Sequence, residues 1–73
     1  MSMERFLRYS LAHDTPIRVI FIDPEGKLCQ GQAVVERMEN GRVALYVMRP
    51  PRRIEIPAAD VLGASYTAKD EGQ

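Results

Sequence analysis

The sequence predicts a mainly β domain, a small five-stranded barrel preceded by one N-terminal α-helix. Three observations predict it. An interrupted apolar stripe at helical spacing opens the chain. From Pro16 to Tyr66, short β-rich segments are broken at short intervals by turn signals. The composition of the 73 residues, 45% hydrophobic and 27% charged, is that of one small globular domain, at a size where a single core leaves little net stability.

Met3, Phe6, Leu7 and Leu11 recur at helical spacing, with Glu4, Arg5 and Arg8 on other faces and Ser2 placed to cap the first turn, so a helix is expected over about residues 3 to 13. Asp14-Thr15-Pro16 ends it, because proline disfavours helical geometry in the residue before it. Ile17 to Asp23 is a strand with Ile17, Val19 and Phe21 facing the interior; Ile20 and Ile22, on its other side, need cover from the helix or a second subunit. Asp23-Pro24-Glu25-Gly26-Lys27 carries proline and glycine where a turn needs them.

The second strand, about Lys27 to Arg37, is long, and Gly31 is expected to bend or bulge it so that it serves both halves of the barrel. Asn40-Gly41 is the strongest short hairpin signal, since both residues tolerate positive φ. Val43, Leu45 and Val47 then alternate with Ala44, Tyr46 and Met48 in a third strand, Arg42 to Met48. Arg49-Pro50-Pro51-Arg52 reads as a stiff connector, and Ile54 and Ile56, alternating with Arg53 and Glu55, as a short fourth strand. Pro57 to Asp60 reads as one helical turn before a last strand, Val61 to Thr67. The domain is expected over 1–67, with 68–73 a polar tail.

One helix followed by five short strands, the fourth reached by a short connector and the fifth by a helical turn, resembles the Sm/SH3-like small barrels over nearly the whole chain. Within that group it is similar to the WYL domain of bacterial regulators. Leu45-Tyr46-Val47 stands where that family carries its Trp-Tyr-Leu strand, and Arg53-Ile54-Glu55-Ile56, running on to Asp60-Val61, is similar to its closing arginine-containing segment. The chain departs from that pattern in having no Trp, in its doubled proline, and in Asp60 where the arginine stands. The resemblance implies non-enzymatic binding, often of nucleic acid, and assembly through strand edges.

Ten basic and ten acidic residues cancel, so no global field draws the chain to nucleic acid or an anionic membrane. The single cysteine, Cys29, and the absence of a continuous apolar leader point to a reducing cytoplasm; no apolar run approaches the length of a membrane span. No metal or cofactor is expected: Asp14, Asp23, Asp60 and Asp70 lack ligand spacing, and Gly26, Gly31, Gly41 and Gly63 make no phosphate loop. His13 and Cys29 lack the orienting group and oxyanion site of a catalytic pair, so no catalytic residue is assigned. His13 suits a helix end, and Cys29 suits strand packing.

The one local basic excess is Arg49, Arg52 and Arg53 around the prolines, with Arg42 upstream. Their guanidinium groups, with Tyr46 as a stacking face, suit the phosphates and bases of single-stranded RNA or DNA. Equally, they suit a solvated loop whose arginines pair with Glu55, Glu36 or Glu39. Pro50-Pro51 also has the form of a polyproline ligand for an aromatic groove. Tyr9 and Tyr66 read either as stacking faces or as half-buried packing residues.

Two functional classes follow. The favoured one is a protein-interaction or assembly module, a homo-oligomer meeting its partner through Ile20 and Ile22 and the helix residues Met3, Phe6, Leu7 and Leu11. The other is a nucleic-acid-binding regulatory module using Arg49, Arg52, Arg53 and Tyr46.

Overall fold

In the computed structural model, which describes residues 3–67, the apolar stripe forms helix α1, Glu4–His13. Ser2, expected as its cap, and the 68–73 tail lie outside the described residues. Leu7 and Ser10 are buried beneath the helix, and Met3, Phe6 and Tyr9 pack on the same core. Glu4 pairs with Arg8 one turn on. The helix stops where Asp14 takes a left-handed φ of 52° and its N–H donates to the Ser10 carbonyl.

Five strands follow, all paired antiparallel: β1 (Ile17–Ile22), β2 (Leu28–Glu39), β3 (Arg42–Met48), β4 (Pro51–Pro57) and β5 (Val61–Ser65). They form a single sheet in the order β4-β3-β2-β1-β5. The mainly β layout is as the sequence predicts. The sheet is open, however: the expected barrel is not closed, and β4 and β5 are its two edges. Pro51 and Pro57 bound β4, as prolines do on an edge strand. The amide of Ala58, which opens the single 3-10 turn Ala58–Asp60, is taken by the Gly41 carbonyl at 2.8 Å, and β5 then pairs with β1.

Alternation fixes the two faces. Ile17, Val19 and Phe21 of β1 and Val43, Leu45 and Val47 of β3 point into one core, which Leu7, Ala33, Val35, Ile56 and Val61 complete. Asn40 and Gly41 take φ of 54° and 74°, the conformation the tight turn between β2 and β3 requires.

β2 serves both halves of the sheet, and Ala33 is the handover, paired with Ile17 on one side and Val47 on the other. No bulge lies at Gly31: Val19 faces Gly31 in regular register, and the bulge lies between Val35 and Arg37. There β2 no longer has β1 beside it, and α1 takes that side. The buried Ser10 hydroxyl accepts the Val35 N–H at 2.9 Å and donates to the Thr15 carbonyl at 2.6 Å, filling the place of a strand partner.

β4 begins at Pro51, earlier than its apolar alternation suggests, because all seven residues pair with β3 from Met48 back to Arg42. β5 ends at Ser65 rather than Thr67. Tyr66 leaves the sheet and meets the rings of Phe6 and Tyr9 edge-on, at 4.8 and 4.9 Å between centroids.

Candidate binding surfaces

The basic cluster is largely spent inside the chain. Tyr46 and Arg53 are cross-strand neighbours, and the Arg53 guanidinium lies over the Tyr46 ring at 5.1 Å while its Nε donates to Glu36 at 3.1 Å. The stacking face proposed for a base is thus covered by the chain's own arginine. Arg42 and Arg37 both reach Glu55, at 3.0 and 3.3 Å. Of the three arginines predicted for nucleic acid, Arg49 alone makes no side-chain ion pair or hydrogen bond among the described residues.

Arg52 has a structural partner that the sequence reading missed. Its Nη2 donates to Asp23 Oδ2 at 3.3 Å, tying the start of β4 to the turn between β1 and β2. Asp23 is 4% exposed, and its Oδ1 accepts the amides of Glu25 and Lys27, each at 2.9 Å. The Cys29 thiol adds a long contact of 3.7 Å to Oδ2. The Lys27 amide, with help from Arg52 and the Glu25 amide, holds the Asp23 carboxyl below the usual carboxylate range against the opposing effect of burial. Pro-Glu-Gly marked the turn; nothing local marked an ion pair spanning 29 positions.

The predicted apolar contacts separate into two groups. Leu7 is buried in its own core and Met3 and Phe6 pack on it, so the helix docks within the same chain and leaves Leu11, 38% exposed, toward solvent. Ile20 and Ile22 lie on the outer side of β1, as expected, and gain neighbours. Ile22 faces Leu28 across the β1–β2 ladder, and Ile20 lies across Gly63 of β5, its Cδ1 3.6 Å from where a Cβ would stand. At the bulge in β5, Leu62 turns outward. Leu28, Leu62 and Ile20, at 68%, 54% and 39% exposure, are with Leu11 the exposed large apolar side chains of the described residues. Leu28 and Leu62 were legible only as strand ends, because a bulge and a turn set which way they point.

The other candidates take structural places. His13 ends the helix with its ring 4.8 Å from that of Tyr9. Cys29 touches Asp23, Lys27 and Arg52. Pro50 is in the β3–β4 connector and Pro51 is paired with Met48 in the sheet. Among the described residues no group of His, Cys, Asp and Glu is arranged to hold a metal ion, and no helix is long and apolar enough to cross a membrane.

No family model, no curated protein and no solved structure matches this chain.

Proposed function

We propose that the protein is a cytoplasmic, non-enzymatic small-barrel module of the Sm/SH3-like kind, working by protein interaction and assembling with copies of itself. One observation carries the reading: Ile20, Ile22, Leu28 and Leu62 gather on the outer side of β1, β2 and β5, beside the unpaired edge of β5. Contiguous exposed apolar groups next to a free strand edge favour association, since an apolar side chain gains about 1.5–3 kcal/mol on full burial and the edge has unpaired backbone groups to offer. The barrel-like reading rests on β2, which both hairpins share, and on one core supplied by all five strands.

Sedimentation velocity between 1 and 100 μM tests it. A concentration-dependent shift to a dimer or ring is expected, lost in Ile20→Glu and in Leu62→Lys, neither of which touches the core. A wild-type chain that stays monomeric throughout that range overturns the reading. The alternative of nucleic-acid binding at Arg49, Arg52, Arg53 and Tyr46 retains only Arg49, the other three being engaged within the chain.

A further inference from the structure

We infer that the open side of β2 carries a second site, adjoining the apolar face, a groove for the phosphate group of a nucleotide, formed by Arg18, Arg49, Gln30 and Gln32. The groove has a volume of about 380 Å³ and is lined by these four side chains with Gly31 and Met48. It adjoins a cavity of about 240 Å³, also bordered by Gln30, Gly31 and Arg49, that opens toward Arg52.

The place follows from the topology. Leu28 to Gln32 pair with β1 on one side only, because β3 joins β2 from Ala33 onward. The gap left on the other side is bordered by the Met48-Arg49-Pro50 connector. Antiparallel strands direct the backbone groups of alternate residues to opposite sides, so part of this half-strand offers N–H and C=O groups to the gap.

The charge distribution names the ligand class. Arg8, Arg37, Arg42, Arg52 and Arg53 are each paired with a carboxylate. The side chains of Arg18 and Arg49 make no ion pair or hydrogen bond among the described residues, and both line this groove, whose lining includes no carboxylate. Two guanidinium groups without a carboxylate partner among the described residues therefore meet in one groove. Guanidinium groups present paired N–H donors that match phosphate oxygens, and the neighbouring glutamines supply donor and acceptor together, the chemistry a base edge or a sugar hydroxyl meets. Gly31 leaves the floor open, with nothing within 4 Å of the place a Cβ would take.

Fluorescence anisotropy of a labelled 15-nucleotide single-stranded RNA with the full chain, at 50 and 200 mM salt, tests the site. Saturable binding that weakens with salt is expected, reduced about tenfold by Arg18→Ala and by Arg49→Ala and unchanged by Arg53→Ala, whose guanidinium is already held by Glu36 and Tyr46. Competition separates the sources of the phosphate. Displacement by ATP at matched phosphate concentration identifies a free nucleotide as sufficient, and displacement only by unlabelled RNA identifies a strand. Absence of saturable binding of both RNA and ATP at 50 mM salt overturns the inference. So does equal loss in Arg53→Ala, which marks diffuse charge, or equal displacement by poly-glutamate, which marks an acidic protein. Arg18 and Arg49 are exposed, and circular dichroism of their variants verifies that the fold is kept.

Discussion

Asp23 shows how one buried carboxylate organises its surroundings. It orders the β1–β2 turn through two backbone amides and holds the start of β4 through Arg52. Because its folded-state pKa lies below the ordinary value, the stability it contributes is complete above the unfolded pKa, about 3.9, and is lost as pH falls from there through the lower folded value. Asp23→Asn is therefore expected to lower stability at pH 7 and to flatten the loss that the wild type shows as pH falls below the ordinary carboxylate range, measured by urea unfolding from neutral pH into acid. A wild-type slope retained in the variant would remove Asp23 from the acid transition. Arg52→Ala leaves the carboxylate with the two amides and the long Cys29 thiol contact and is expected to lower stability by loss of the ion pair. The turn role of Asp23 was legible from the sequence and the structure bears it out; its burial and its tie to Arg52 were not, because Arg52 read as part of a basic cluster. By contrast, Glu36 and Glu55 were among the acids expected to pair with those arginines, and they do.

At the scale of elements, apolar alternation was the reliable signal. Ile17-Val19-Phe21 and Val43-Leu45-Val47 announce strands because each set shares one buried face, and Asn40-Gly41 announces its turn because both residues take positive φ. The signal failed where a neighbouring element decides the outcome. Gly31 offered a local cue for a bulge, yet the bulge forms where β2 exchanges β1 for α1 at its side. Ser10, a polar position that no local pattern singles out, is fully buried and serves Val35. Ser10→Ala leaves that N–H without its acceptor and is expected to cost about 1–3 kcal/mol, while Leu11→Ala, on the solvent side, is expected to change stability much less. Thermal and urea denaturation of the pair provides the comparison, and equal effects would show that the helix is not anchored through its hydroxyl.

For the whole molecule, zero net charge conceals a sorted surface: paired arginines over β3 and β4, unpaired ones at the β2 groove, and apolar groups beside β5. The fold class was legible in outline, since helix and strand order follow from local patterns. The sorting was not, because it depends on which side of the sheet each pairing exposes. Salt should therefore act differently on the two proposed surfaces, weakening the groove's ligand while leaving the apolar association nearly intact.

The connectivity of the sheet also has a kinetic meaning. β1 to β4 form a meander whose neighbours in space are neighbours in sequence, whereas β5 must return to β1, bringing Val61 to Phe21 across the whole of it. Local hairpins close at small entropic cost and a long loop at a greater one, so β5 is expected to dock after the meander has formed and to be the first strand to leave it. Native-state hydrogen exchange should find the β5 amides opening at lower free energy than those of β3, and uniform protection across both would refute that order. Each such opening bares Val61 and the inner edge of β1, so the strand beside the proposed association face is also the one whose departure makes the core available to another copy.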